Sequence, residues 1–270
     1  MSSRRPTTTP VSHFDAEVNT HLETRTLAHH PELAEELFAA HQLGEYFMVF
    51  KYFTRNTPTD VYHGQEHGVL TALNCYEGAL HSGCTREETR ALLVAGLFHD
   101  VGHSCGGQPD EINVQRAKHI LTQLHASMDL HARLKDEEMV LCLRAIGATQ
   151  YPYRTKLNDA VAKVIRDADM MTPYLPEPVK LRLLNGLRQE MLMSIEGFCQ
   201  RQLSFSSALV WNTRWAKMKA FERNWPLLNR SLPALFKALE REENQAAQRE
   251  IAQATAAAAW AKMSGKLGAV

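Results

Sequence analysis

Histidine and aspartate residues recur in this sequence at positions where they could hold a metal ion. His63 and His67 lie four residues apart in the segment YHGQEHG, so they would share one face of a helix. His99 and Asp100 directly follow the apolar run LLVAGLF. A charged carboxylate at the end of such a run is costly to bury without a partner, and a bound cation is one such partner.

Two further segments could add ligands to this set. His103 follows His99 by four residues, and the segment VIRDAD places Asp167 and Asp169 in an apolar helix. Imidazole and carboxylate ligands suit Mn²⁺, Zn²⁺, Fe²⁺, Ni²⁺ or Co²⁺, and carboxylates with water suit Mg²⁺. We therefore expect one or two divalent metal ions as cofactors. Cys105 is the one cysteine close to these positions, so a thiolate site is not expected.

Each of these features also has a purely structural explanation. A histidine pair at this spacing is common on helix surfaces, His99 would be favoured at a helix C-terminus, and Asp169 could be a solvated charge. Helical periodicity does not choose between Asp167 and Asp169, because both flank the same apolar stripe at similar angles. The coincidence of four such segments favours a metal site over the separate structural explanations.

Helices are the elements that must position these residues. From about residue 14 to 250, apolar residues recur every three or four positions, and the alternating patterns typical of strands are missing. The sequence therefore predicts an all-α fold. Thr85 and Glu88 form a predicted capping box. The predicted helices span residues 31–43, 45–53, 64–82, 85–99, 110–126, 135–147, 156–171, 177–194, 196–220 and 231–259.

Composition divides the chain into three predicted segments. Residues 1–12 are rich in Ser, Thr, Arg and Pro and are predicted to be disordered. Residues 13–240 contain no long polar linker and are predicted to form one domain. Residues 241–270 are predicted to form an Ala-rich helical tail with a thin apolar face. This tail is a candidate contact for a homo-oligomer.

Charge and cysteine usage exclude several classes of protein. The 270 residues include 30 basic and 30 acidic side chains, which argues against extended nucleic-acid binding or attachment to an anionic membrane. A run of 18 apolar residues is missing, so no membrane span is predicted. Five cysteines without a C-x-x-C pair fit a reducing cytoplasm. The expected protein is cytoplasmic and globular.

The arrangement of these motifs resembles that of a known family. H…HD…D, here His67, His99-Asp100 and Asp169, resembles the HD-domain superfamily of metal-dependent phosphohydrolases. YHGQEHG and LLVAGLFHDVGH resemble the YHNxxHA and HDxxHxG signatures of class I 3′,5′-cyclic nucleotide phosphodiesterases. The resemblance covers about residues 60–175. It implies a phosphodiesterase-like helical bundle with a metal site.

The resemblance also implies roles for matching positions. Asp100 would bridge the first metal to a second metal completed mainly by water. His63 matches the histidine that protonates the leaving oxygen, and His103 matches one around the water shell of the second metal. Asp169 is preferred to Asp167 because the family's ligand usually follows Ala, as here. The first metal would have four ligands: His67, His99, Asp100 and Asp169.

This sequence departs from the phosphodiesterase pattern in places. YHG replaces YHN, and the segment after His103 is closer to general HD proteins. Some dinuclear HD families have a further metal-ligating histidine where this sequence has residues 146–149, Ile-Gly-Ala-Thr. The lack of a histidine there argues against a tightly held second metal. Gln202 and Phe205 have the spacing of the glutamine and phenylalanine base clamp of cyclic nucleotide phosphodiesterases, although Phe205 could equally be a core residue and Gln202 a surface residue. Thr149 is a further candidate for substrate binding.

The resemblance implies hydrolysis of a nucleotide phosphodiester, with a 3′,5′-cyclic nucleotide as the expected small-molecule substrate and its 5′-monophosphate as the product. Bound metal would lower the pKa of water, and a proton from His63 would assist departure of the alkoxide. One alternative is an HD-type nucleotidase or nucleoside-triphosphate phosphohydrolase. Others are an HD-fold di-iron oxygenase, against which the sparse second site counts, and a non-catalytic helical module.

Overall fold

The computed structural model describes residues 30–55, 62–127, 134–153, 156–222 and 232–267, so the predicted disordered segment 1–12 lies outside the described residues. Within these ranges the chain is mainly helical and contains no strand, which confirms the all-α prediction. Short 3₁₀ helices span Pro31–Leu33 and Thr172–Tyr174. The α-helices are α1 (Ala34–Ala40), α2 (Gly44–Arg55), α3 (Gln65–Ser82), α4 (Arg86–Phe98), α5 (Asp110–Ser127), α6 (Asp136–Ala148), α7 (Ala160–Asp169), α8 (Glu177–Glu190), α9 (Ile195–Ala208), α10 (Arg214–Glu222) and α11 (Leu232–Leu267).

Contacts divide the chain into two compact units. The first unit runs to Met171 and also includes Trp211–Met218. The second unit comprises Thr172–Val210 and the residues from Lys219 onward. The predicted single domain, residues 13–240, contributes to both units, and its bounds stay a prediction.

Helices α3 and α4 form the centre of the first unit. Residues 67–79 of α3 and 89–98 of α4 are buried on all sides, as expected for helices that are apolar all round. Helix α3 packs on α4 and α7, and α4 also packs on α6. A Cβ atom at Gly96 would lie 2.8 Å from the backbone of Ala72, so glycine permits this close approach of α4 to α3. A Cβ atom at Gly68 would meet the carbonyl of Leu97, so α3 begins beside the end of α4.

Local capping sets the boundaries of two of these helices. The predicted capping box of α4 is confirmed, because the backbone N–H of Glu88 donates to Thr85 Oγ1 and the backbone N–H of Thr85 donates to Glu88 Oε2. Helix α7 begins later than the predicted residue 156. Its N-cap is Asp159, whose Oδ1 accepts a hydrogen bond from the backbone N–H of Ala162 at 2.9 Å. Such a cap contributes about 1 kcal/mol to helix stability.

The first predicted helix, 31–43, is shorter than expected. After the 3₁₀ turn at Pro31, α1 ends at Ala40, and Gln42 takes the left-handed conformation with φ 59°. Gly44 begins α2. Gln42, and not a glycine, therefore adopts the positive φ that follows this helix.

The prediction of one helix over 196–220 is wrong. Helix α9 ends at Ala208, and Leu209 is extended with ψ 126°. Before α10 begins, the backbone N–H groups of Asn212 and Thr213 donate to the carboxylate of Asp167 on α7. Thr213 Oγ1 in turn accepts from the backbone N–H of Ala216. The helix is broken because a distant carboxylate binds backbone N–H groups just ahead of α10.

The second unit is built on the long helix α11, against which α8 and α9 pack. Leu239 is fully buried, and Arg188 Nη2 donates to Glu243 Oε1 at 2.6 Å. Helix α11 continues through residue 241, and its residues 247–258 are exposed. Homo-oligomer formation through this segment stays a prediction. Among the described residues, a helix with the length and hydropathy needed to cross a membrane is not found.

Candidate metal centre

Three helix ends of the first unit bring four predicted ligands together. His67 lies in the first turn of α3, His99 and Asp100 directly follow α4, and Asp169 ends α7. One ligand atom from each of these residues lies within 4.8 Å of all the others. His67 and His99 are almost completely buried, at 2% and 1% exposure. The chain therefore places two imidazoles and two carboxylates around one point.

The imidazole Nε2 atoms face both carboxylates. His67 Nε2 lies 3.1 Å from Asp169 Oδ1 and 3.4 Å from Asp100 Oδ2. His99 Nε2 lies 3.0 Å from Asp100 Oδ2 and 3.2 Å from Asp169 Oδ1. All four groups thus direct a metal-ligating atom toward the same small volume.

Neighbouring groups fix the orientation of the two rings. His99 Nδ1 lies 2.9 Å from the carbonyl oxygen of Gly96, to which it donates, so Nε2 presents its lone pair to the cluster. The ring of Tyr62 stacks on that of His67, with centroids 4.5 Å apart and an interplanar angle of 27°. Such support around metal-ligating histidines is typical of metal sites.

Electrostatic coupling within the cluster is strong. Burial by itself lowers the pKa of His99, but the negative charges of Asp100 and Asp169 raise that pKa well above its ordinary value. Burial also lowers the pKa of His67, but its contacts with Asp100 and Asp169 raise that pKa overall. Burial opposes ionisation of Asp100, yet the charges of His99 and His63 hold its pKa well below the ordinary value. In the metal-free fold, protonation of the two imidazoles and ionisation of the two carboxylates therefore favour each other, and a divalent cation could take the place of the added protons.

The structure separates the two aspartates of α7. Asp169 lies in the cluster, whereas the buried carboxylate of Asp167 accepts hydrogen bonds from other groups. Its Oδ1 accepts from Asn212 Nδ2 at 2.8 Å, and its Oδ2 accepts from the backbone N–H of Thr213 at 2.7 Å. The backbone N–H of Asn212 is shared between both oxygens, at 3.0 and 3.1 Å. Asp167 therefore links α7 to the start of α10.

A second cluster contains His63, His103 and Cys105, whose ligand atoms also lie within 4.8 Å of one another. The two imidazoles stack with centroids 3.7 Å apart and an interplanar angle of 21°. His63 precedes α3 rather than lying on it, and its ring is 6.4 Å from that of His67. Sequence reasoning gave Cys105 no role, although its position two residues after His103 in a Gly-rich loop was a usable signal.

N–H groups face both nitrogens of the His103 ring. Nδ1 lies 3.1 Å from the backbone nitrogen of Cys105, and Nε2 lies 3.0 Å from Asn113 Nδ2 and 3.8 Å from Asp110 Oδ1. Asn113 Oδ1 accepts from the backbone N–H of Ser104 at 3.1 Å, which turns the amide Nδ2 toward the ring. A neutral imidazole cannot accept at both nitrogens, so only one of the two N–H contacts is a hydrogen bond at a time.

The predicted substrate-binding residues are in different parts of the chain. Thr149 is buried at the end of α6, where its hydroxyl donates to the carbonyl of Ile146. Gln202 is buried on α9 and Phe205 is half-buried one turn later, so the structural alternative of a core phenylalanine with a surface glutamine does not hold for Gln202. Substrate binding by Thr149, Gln202 and Phe205 stays a prediction.

Tyr153 is a further polar group close to the first cluster. Its hydroxyl is buried and lacks a hydrogen-bond partner among the described residues. Burial raises the pKa of this phenol, and the charge of Asp169 adds to the rise. The guanidinium of Arg166 lies over the ring at 4.5 Å, while its Nε donates to the carbonyl of Ala148.

Solved structures share the fold of this chain. One is the phosphodiesterase domain of the Salpingoeca rosetta rhodopsin phosphodiesterase, with a TM-score of 0.54 and 14% identity over 82% of this chain and 86% of that one. Another is the phosphodiesterase domain of the rhodopsin–phosphodiesterase fusion protein from the same choanoflagellate, with a TM-score of 0.54 and 13% identity over 87% and 93% of the two chains. The phosphodiesterase-like fold is thereby confirmed. No family model matches the chain, and no curated protein matches it by sequence.

Proposed function

We propose that this protein is a metal-dependent phosphohydrolase that hydrolyses a nucleotide phosphodiester, with a 3′,5′-cyclic nucleotide as substrate. The observation that supports this most directly is the convergence of His67, His99, Asp100 and Asp169 within 4.8 Å. The donor set fits a divalent cation, because it combines two neutral nitrogen ligands with two anionic oxygen ligands. The shared fold with phosphodiesterase domains supports the same class of reaction.

His67, His99, Asp100 and Asp169 would hold the cation. When bound, such an ion lowers the pKa of water and neutralises charge on phosphoryl oxygens. Asp100 is half-buried, so the carboxylate adjoins the more open side of the cluster. The nearly complete burial of the two histidines excludes solvent from their side and strengthens every charge interaction there.

His63 is the proposed proton donor to the leaving oxygen. It is half-buried, and its positive charge contributes to the lowered pKa of Asp100, so the two groups interact electrostatically. In the proposed reaction, water adds to phosphorus and releases one proton to solvent, the bond from phosphorus to the 3′ oxygen breaks, and that oxygen takes the proton of His63. The product is the 5′-monophosphate. Proton donation of this kind contributes about 10²–10⁴-fold to the rate when the leaving group is an alkoxide.

Hydrolysis assays on the full chain test this proposal. We expect chelator-treated protein to regain activity toward cyclic AMP or cyclic GMP on addition of Mn²⁺, with the 5′-monophosphate as the product. Release of inorganic phosphate, pyrophosphate or triphosphate from nucleotides would instead favour a nucleotidase or nucleoside-triphosphate hydrolase. Absence of turnover with Mn²⁺, Zn²⁺, Fe²⁺, Co²⁺, Ni²⁺ and Mg²⁺ would contradict the proposal.

A matched pair of histidine variants makes the assay specific to the site. His99→Ala removes a buried nitrogen of the cluster, so activity should fall to background even with excess Mn²⁺. His119→Ala changes an exposed histidine on α5 and should retain wild-type activity. Equal activity of the two variants would show that the cluster does not carry the reaction.

A further inference from the structure

We propose that His63, His103 and Cys105 form a second metal site, distinct in its ligands from the first cluster, that binds Zn²⁺. Their nitrogen and sulfur atoms lie within 4.8 Å of one another, and all three side chains are half-buried. The thiol is not in a disulfide, and its sulfur lies 4.0 Å from the carbonyl oxygen of His103, a contact that a metal bond would replace. Three protein ligands leave the fourth position of a tetrahedral ion to water.

The donor atoms set the metal preference of this site. Two imidazoles and a thiolate suit Zn²⁺ and other borderline or soft ions, whereas Mg²⁺ prefers oxygen ligands. The first cluster contains no sulfur, so the two sites differ in kind. Zn–N and Zn–S bonds place tetrahedral ligands roughly 3.3–3.6 Å apart. The present separations would therefore need to close by on the order of 1 Å. The stacked rings of His63 and His103 would also need to rotate so that their in-plane lone pairs converge on one ion, which half-buried side chains can do.

A metal bond at His103 Nδ1 would replace the hydrogen bond that this nitrogen accepts from the backbone N–H of Cys105 at 3.1 Å. The ring proton would then lie on Nε2, which faces Asn113 Nδ2 at 3.0 Å and Asp110 Oδ1 at 3.8 Å. A turn of the Asn113 amide and a small approach of Asp110 would let the carboxylate accept that proton. A carboxylate behind a metal-bound imidazole is a recurrent arrangement that strengthens the ligand.

The loop conformation directs Cys105 back toward the histidines. Gly102 has φ 76° and Gly106 has φ 87°, and a Cβ atom at Gly102 would collide with the side chain of Ile120. Cys105 itself has φ 49°, a left-handed conformation that is unfavourable for a non-glycine residue. A metal bond to its sulfur would offset part of this cost, in place of the hydrogen bond that its backbone N–H donates to His103 Nδ1.

Zinc binding at this site would inhibit the reaction proposed above, and this consequence rests on the proposed function. The bond to the metal uses the lone pair with which His63 binds its proton, so His63 can no longer protonate the leaving oxygen. The thiol of Cys105 releases its proton to solvent as the sulfur–metal bond forms. The binding site itself does not depend on the identity of the substrate.

Cobalt titration of the chelator-treated full chain tests the site without any activity assay. Co²⁺ bound to thiolate gives a near-ultraviolet charge-transfer band, which the sulfur-free first cluster cannot give. We expect this band in the wild type and in Cys84→Ser, a control at another half-buried cysteine, but not in Cys105→Ser. Circular dichroism verifies that both variants fold. A band that persists in Cys105→Ser, or its absence from saturated wild type, would overturn the proposal.

Zinc inhibition tests the consequence separately. Activity is measured in Mn²⁺, and each protein is normalised to its own zinc-free rate. Because Cys105→Ser lacks the sulfur ligand, the zinc concentration that inhibits it should be at least about tenfold higher than for the wild type. Cys84→Ser should match the wild type. If the cobalt band appears but zinc inhibits the wild type and Cys105→Ser equally, the inhibitory role is overturned while the site stands. If no phosphoester is hydrolysed at all, the proposed function fails and the cobalt result still decides the site.

Discussion

Replacement of Asp167 by alanine should destabilise the fold while leaving the first metal cluster able to form. The carboxylate is 1% exposed and accepts hydrogen bonds from the backbone N–H groups of Asn212 and Thr213 and from Asn212 Nδ2. These bonds fix the segment that precedes α10. Asp169, two residues later, provides the carboxylate of the cluster, so the two aspartates should have separable effects.

The bonds around Asp167 give the expected magnitude. An unsatisfied buried donor costs about 1–3 kcal/mol, and two backbone N–H groups lose their acceptor, whereas the half-buried Asn212 amide can turn to water. The gross loss is therefore about 2–6 kcal/mol. Burial raises the pKa of Asp167 against the opposing effect of these hydrogen bonds, so relief of the buried charge offsets part of the loss. We expect Asp167→Ala to lower the free energy of unfolding by about 3 kcal/mol.

Urea unfolding of the full chain measures this effect, with metal content determined on the same samples. Asp159→Ala, which removes the N-cap of the same helix, should cost about 1 kcal/mol and provides the matched control. The reasoning is refuted if Asp167→Ala costs no more than this control, or if folded Asp167→Ala loses its bound metal while Asp169→Ala keeps it.

Other predictions concern catalysis, pH and packing. His63→Ala should slow hydrolysis of a cyclic nucleotide by about 10²–10⁴-fold. The same variant should slow hydrolysis of bis(p-nitrophenyl) phosphate much less, because the leaving group of that substrate needs no proton. Steady-state rates on both substrates check this prediction. The pKa values of His67 and His99 are raised above 6.5 in the metal-free fold, so the stabilisation from their protonated rings is present below pH 6.5 and lost as the pH rises through the raised values. The Tm of chelator-treated protein should therefore fall as the pH is raised above 6.5 in differential scanning calorimetry, while saturating Mn²⁺ should remove this fall. Gly96→Ala should cost about 1–3 kcal/mol in urea unfolding, because its Cβ would lie 2.8 Å from the backbone of α3, whereas Gly44→Ala, with a 4.0 Å approach, should be nearly neutral.

Local signals predicted the helical elements well. The apolar run before His99 and the capping box at Thr85 are short-range features, and α4 follows them within one residue at each end. The continuous helix over 196–220 failed because its break depends on Asp167, which lies on another helix. Periodicity could not detect that interaction, although an Asn-Thr pair before Arg214 is a recognisable N-cap signal.

The candidate site was predictable in composition but not in arrangement. Resemblance to a family, and not the helical pattern, selected Asp169, and the structure places Asp169 among the other three groups. Cys105 was dismissed because spacing alone cannot show that a loop with successive positive φ angles turns its sulfur toward His63 and His103. Substrate binding by Gln202 is a property of tertiary contacts, which a two-residue match cannot establish.

Metal content of the full chain, purified without chelator and exposed to Mn²⁺, tests the central claim most directly. Elemental analysis after desalting should find at least one divalent ion per chain in the wild type and in Asp167→Asn. Asp169→Asn should lose that ion, because one of its two anionic ligands has become a neutral amide. A wild-type chain that retains no metal, or an Asp169→Asn variant that retains as much as the wild type, would contradict a metal centre at His67, His99, Asp100 and Asp169.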